Sequence, residues 1–191
     1  MNMLMNPIAV RKLAGVAIAT VWMIGAARAA GDYPMTLTAD AKATAGTAAV
    51  TAVVTIKVDR LMEESRRARV TDKLAHDGYA KFVPELRSLP PVGTIEVQKR
   101  SVEIRYAREQ HDDKGRRLVL IADRPLFFLA ADPSKNRAGY ELTIVELRFD
   151  AAGGFTGTMA GAAKVKPSPD GPILDDFAEA PVALTARRAT R

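Results

Sequence analysis

The segment TAAVTAVVTIKVD, Thr47 to Asp59, decides the fold class. Val50, Ala52, Val54, Ile56 and Val58 fall on one side of a two-residue alternation. Thr51, Thr55, Lys57 and Asp59 fall on the other, with Val53 among them. Successive side chains of a strand point to opposite faces, so this spacing predicts a strand with one face in a core and one in water. β-branched residues fill it, as a pleated surface favours. Thr36 to Lys42 repeats the pattern more weakly, and Gly46 between the two marks a hairpin turn.

Strand signals recur along the rest of the chain. Thr94–Gln98 and Ser101–Arg108 read as a hairpin about Lys99-Arg100, which would pair Val97 with Val102, Ile95 with Ile104 and Glu96 with Glu103. Arg116–Asp123, Tyr140–Asp150, Phe155–Lys166, Ile173–Phe177 and Pro181–Ala186 follow, separated by Gly-, Pro- and Asp-rich breaks. Leu126–Ala131 is a continuous apolar run, the pattern of a strand buried on both sides, although length alone does not separate it from a helix. One region differs. Between residues 61 and 89, Tyr79, Phe82, Val83, Leu86 and Leu89 recur at helical spacing. A first helix is expected over Ser65–His76, stopped by Gly78. Pro84 lies in the first turn of a second helix, or kinks it if that helix starts near Tyr79; Pro90-Pro91 ends it. The expectation is a mainly β chain: an antiparallel β-sandwich or barrel of about eight to ten strands with one helical insertion.

The first 29 residues read as a secretory signal peptide. Arg11 and Lys12 precede an apolar run from Leu13 to Ala27, and Ala27-Arg28-Ala29 offers small residues at a cleavage site. The run is shorter than the ~20 residues of a spanning helix, and no comparable stretch follows. Residues 30–191 would then form one exported domain, periplasmic or extracellular, with no transmembrane segment after cleavage. Residues 1–29 hold three basic residues and no acid, so cleavage lowers the formal charge from +6 to +3. That value, with no reading motif, does not argue for nucleic-acid binding, and no nucleic-acid partner is expected. The chain has no cysteine. Disulfides and lipid attachment at a cysteine are therefore excluded, and stability must come from buried apolar surface.

Several motifs occur in a fixed order: Gly78-Tyr79-x-x-Phe82-x-x-x-Leu86-Arg87-x-x-Pro90-x-x-Gly93, Asp123-Arg124-Pro125, Ala138-Gly139-Tyr140-Glu141-Leu142 running into Ile144-Val145-Glu146-Leu147, and Ala178-Glu179-Ala180-Pro181-Val182. This set resembles a family of uncharacterised exported bacterial proteins, over roughly the whole chain after residue 29. The resemblance implies a single exported domain and brings with it no activity, cofactor or site residue.

Catalytic patterns are missing from the sequence. None of Ser65, Ser88, Ser101, Ser134 and Ser168 sits in a nucleophile elbow or a Ser-x-x-Lys pair. Two histidines, His76 and His111, are too few for a structural zinc site without cysteine. No catalytic residue, metal ligand or cofactor is therefore assigned. The reading that remains is a non-enzymatic binding or interaction protein of the cell envelope, taking an apolar or amphipathic ligand or an envelope protein. Its candidate surface lies between the helical insertion and Arg124–Ala131. Tyr79, Phe82 and Phe127 supply apolar wall, and Arg124 an anion contact. Glu146 shares strand parity with Tyr140, Leu142, Ile144 and Arg148; if that face points inward, Glu146 is buried and needs Arg148 or Arg124 as partner. If the strand changes face, Val145, Leu147 and Phe149 are the core set instead. Two alternatives stand beside this. One is a docking module using a sheet edge or the arginine-rich helix containing Arg60, Arg66, Arg67 and Arg69; the other is a hydrolase of unknown substrate.

Overall fold

The computed structural model describes residues 32–45, 48–127 and 138–187. The proposed signal peptide, the Gly46 turn, most of the Asp132–Gly139 loop and residues 128–131 of the apolar run lie outside them. The elements are β1 (Met35–Ala45), β2 (Ala48–Val58), α1 (Glu64–Asp77), α2 (Tyr79–Ser88), β3 (Gly93–Val97), β4 (Arg100–Asp112), β5 (Gly115–Ala122), β6 (Leu142–Phe149), β7 (Phe155–Lys166), β8 (Ile173–Phe177) and β9 (Val182–Ala186). All pairings are antiparallel. Strands β1 to β7 pair in sequence, and β9 joins β7 to β1. The ring closes, so the architecture is an eight-stranded barrel and not a sandwich. Strand β7 is long enough to hold two partners on one edge: β9 pairs with Thr156–Met159 and β8 with Ala163–Lys166. β8 is thus an extra strand outside the barrel.

Alternation fixes what fills the barrel. Ala39 and Ala41 of β1, Val54, Ile56 and Val58 of β2, Ile95 and Val97 of β3, Leu118 and Leu120 of β5, and Val145 and Leu147 of β6 belong to one buried cluster. These are the inward residues of their strands, and they pack the interior as side chains fill other eight-stranded barrels. A second apolar layer lies outside the wall. Val70 and Leu74 of α1 and Phe82, Val83 and Leu86 of α2 pack on Tyr106, Val119, Ile121, Leu142 and Ile144. The helices therefore cover the outer face of β4–β7, which is why β5 and β6 are buried on both faces and lose the clean alternation of β2.

Gly78 separates the two helices with φ +78°, a left-handed value that a side chain would strain. Its carbonyl receives the N–H groups of Lys81 and Phe82 and so starts α2 at Tyr79. Pro84 is accordingly an internal helix residue rather than a first-turn one. The arginines of the insertion are paired locally: Arg66 with Glu63, Arg67 with Glu64, and Arg69 with Glu85 across the helix pair.

The β3–β4 hairpin differs from its sequence register. Gln98-Lys99 forms the turn, with Gln98 at φ 57°, and Val97 pairs with Arg100. Ile95 then faces Val102, and Glu96 faces Ser101 instead of Glu103. A two-residue turn with a left-handed first position matches the strand twist, and it removes the like-charge pair. Strand β4 also carries a bulge between Ile104 and Tyr106. Ile104 points into the barrel, Tyr106 points out under the helices, and Ala107 points in again. The extra residue, Arg105, breaks the parity.

Past β5, Arg124–Leu126 crosses the end of the barrel and sends Leu126 into its core. The Leu126 N–H donates to Gly161 O at 2.7 Å and to Thr143 Oγ1 at 2.8 Å. A Cβ on Gly161 would run into the Leu126 carbonyl, so this crossing requires glycine. Leu126 and Phe127, the described part of the apolar run, lie in neither a strand nor a helix.

Candidate functional site

At the opposite ends of β5, β6 and β7 the barrel opens. Here β4 delivers Glu109 and His111 with the inward parity restored by the bulge, β5 delivers Arg116, and β6 delivers Phe149. The Glu109 side chain is only 4% exposed. It accepts the Tyr33 hydroxyl at 2.6 Å and Arg116 Nη2 at 2.9 Å, and His111 Nε2 lies 3.6 Å from its other oxygen. The Arg116 guanidinium sits 4.1 Å above the Phe149 ring, and Phe149 tilts against Phe155 at 5.6 Å. Arg116 Nη2 also reaches the Met35 sulfur at 3.8 Å. Burial, reinforced by the neighbouring carboxylate of Glu109, pushes the Tyr33 hydroxyl pKa well above the ordinary tyrosine value.

Above this cluster lies a cleft of about 760 Å³, lined by Met35, Leu37, His111, Arg116 and Phe149 and by the turns that join β4 to β5 and β6 to β7. Both turns are held by aspartates. Asp112 accepts the Lys114 N–H and pairs with Arg148 at 3.0 Å; Asp150 accepts the N–H groups of Ala152 and Gly154. The rim is therefore pre-formed, with an apolar wall and a few fixed polar groups, as small-molecule sites are built.

Among the described residues, the five singled out from sequence are spread over the helix junction, the barrel end and the outer wall. Tyr79 opens α2, half-buried; its hydroxyl donates to Glu141 at 2.9 Å and receives the Glu141 N–H at 3.2 Å. Phe82 is wholly buried between helix and barrel wall. Arg124 is exposed, 3.9 Å from Asp123. Phe127 follows Leu126 at the edge of the described residues. Glu146 points outward and holds Arg117 with both oxygens, at 2.9 and 2.7 Å. The inward set of β6 is the one with Val145 and Leu147, and the partner of Glu146 is neither Arg148 nor Arg124. β5–β6 adjacency places Arg117 beside it, which sequence spacing does not reveal.

The ordered motifs meet in space where the helices join the barrel. Tyr79 binds Glu141, Arg87 Nε donates to Asp123 O at 3.0 Å, and Arg105 of the bulge holds Asp123 Oδ2 at 3.0 Å while also bonding Leu89 O and Glu103. Ala178 N–H donates to Ala162 O of β7. These contacts fasten the insertion and the connecting segments to the wall.

Among the described residues, no group of three or more His, Asp or Glu could hold a metal ion, and no helix is long and apolar enough to cross a membrane. Searches against family models, curated proteins and solved structures gave no match. The functional reading therefore rests on the geometry alone. Sequence reasoning passed over Glu109, Arg116 and Tyr33 because the signal that unites them is their common inward parity at one barrel end. On β4 that parity is hidden by the bulge.

Proposed function

We propose that this chain is an exported, non-enzymatic binding protein of the cell envelope, and that its small apolar or amphipathic ligand sits in the barrel mouth. One observation carries the reading. The large buried cluster inside the barrel is apolar, yet at the end where Met35, Arg116 and Phe149 line a cleft the described residues hold a Tyr33–Glu109–Arg116 network. Replacing such a buried pair with apolar residues is often neutral or stabilising, so stability alone gives little reason to keep it. Recognition of a ligand's polar end gives one. The cleft volume lies within the range of sites for drug-sized molecules.

The other readings have less support. The arginines of α1 are engaged by local acids, and β8, the outer strand, carries Asp175 and Asp176, a charged edge that discourages strand addition. The hydroxyls of Ser65, Ser88 and Ser168 bond to Glu63, Glu85 O and Gly171 O rather than to a histidine, which gives no footing to a hydrolase.

Native mass spectrometry of the protein recovered from its host's envelope fraction tests the proposal. The native mass is expected to exceed the denatured mass by a few hundred daltons, with the denatured chain starting after Ala29. A native mass equal to the bare chain, or to a multiple of it, refutes a resident ligand. A denatured mass that retains residues 1–29 refutes cleavage.

A further inference from the structure

We infer that the mouth selects an amphipathic monoanion: an apolar body against Met35, Leu37 and Phe149, and a carboxylate-type head on Arg116. This rests on the reading of the mouth as the ligand site and names the chemistry it takes. Three observations lead to it. First, Arg116 is underused. Of its five N–H donors, those on Nη2 reach Glu109 and Met35, the guanidinium also meets the Tyr33 hydroxyl, and Nε is buried with no acceptor. A buried donor without a partner calls for an explanation, and a ligand oxygen drawing the guanidinium into a forked pair supplies one.

Second, Glu109 is already supplied. It takes the Tyr33 hydroxyl and Arg116, with His111 beside it. It is thus poorly placed to take a ligand cation, and it orients Arg116 toward the cleft. The acids on the rim are occupied or peripheral: Asp150 is turned into its own loop, and Asp113 stands next to Lys114 in the β4–β5 turn. Third, the Arg116 guanidinium lies on the Phe149 face, so its charged plane and an apolar surface are presented together. A head group and an apolar body on one ligand match that pairing.

The test is calorimetric titration of the folded protein, stripped of any resident ligand, with three probes of equal chain length: decanoate, decanol and decyltrimethylammonium. Decanoate is expected to bind at least about tenfold tighter than decanol, the margin of one charge-assisted hydrogen bond. The ammonium probe is expected to bind weakest. Arg116→Gln should abolish the preference for decanoate while leaving decanol binding in place. The double variant Glu109→Gln/Arg116→Gln, which leaves no unpaired charge, should do the same and serves if the single variant does not fold. Equal binding of decanoate and decanol, both blocked by Leu37→Trp in the cleft, would overturn the head-group assignment and leave the binding reading intact. Tightest binding of the ammonium probe would also overturn it. Failure of all three probes, with a bare native mass, would overturn the binding reading and this inference together.

Discussion

Thr143 offers a sharp check on how the closed end of the barrel is held. It is fully buried, and its single hydroxyl accepts the Leu126 N–H at 2.8 Å while lying 2.9 Å from Arg124 O and 3.1 Å from Gly161 O. With one proton, it donates to one of those carbonyls at a time. Thr143→Val keeps the shape and removes both the acceptor and the donor. Leu126 N–H and Gly161 O still have each other, so the loss is two bonds: the one Thr143 accepts from Leu126 N–H and the one it donates to a carbonyl, of which Arg124 O is part-buried. At about 1 kcal/mol per net bond, the change should destabilise by about 2 kcal/mol. Thr143→Ser keeps the hydroxyl and deletes a methyl, which costs about 1 kcal/mol. Urea unfolding followed by circular dichroism measures both. With a slope of roughly 1–3 kcal/mol per molar urea, the valine variant should lower the midpoint by roughly 0.7–2 M, and the serine variant by less. If serine proves the more damaging of the two, the site is held by packing and the hydrogen-bonded crossing is not what secures it.

Two further outcomes follow from buried polar groups. Arg105→Ala strands Asp123, whose side chain is 6% exposed, and takes a donor from Leu89 O; a loss of about 3–5 kcal/mol is expected, and the double variant Arg105→Met/Asp123→Leu should recover much of it. A single variant within about 1 kcal/mol of the parent in urea would refute the bulge's role as an anchor. The tyrosines give a pH test. Burial raises the pKa of Tyr33, Tyr79 and Tyr106, with carboxylate hydrogen bonds from Glu109 and Glu141 adding to it for the first two. A raised acid keeps its proton in the folded state longer than in the unfolded one, so its stabilising contribution is whole below the ordinary value of 10.0 and is lost as pH rises above it. Three of the four tyrosines should resist ionisation in an alkaline absorbance titration until the barrel unfolds. Full ionisation near the ordinary value with the fold intact would contradict the burial described.

What could be read from sequence follows from which faces meet water. β2 is solvated on its outer face, so Thr47–Asp59 alternates and its strand is evident at sight. β5 and β6 lie between the core and the helices, so Leu118–Ala122 is apolar at both parities and Leu142–Leu147 is so except at Thr143 and Glu146. Their existence was legible but not their direction. The helix stripe at Phe82, Val83 and Leu86 was legible because only one side of α2 is covered. The mouth was not. Counting in twos from Val102 and Ile104 sends Tyr106 inward and Glu109 outward, and one bulged residue reverses both. Barrel closure was equally hidden, since it depends on pairing between β1 and β9, nearly the whole chain apart.

That closing pair has a consequence for how the molecule is made. β9 has five residues, and it alone links β7 to β1, by four residue pairs on each side. Ala39 must wait for Ala186, so the ring cannot shut while the last part of the chain is still emerging or threaded elsewhere. Contacts of such long sequence separation form late, after the entropy of closing the intervening loop has been met. A chain arranged in this way stays open until it is wholly available. That property would suit the export proposed above, in which the chain crosses a membrane unfolded and closes its ring afterwards.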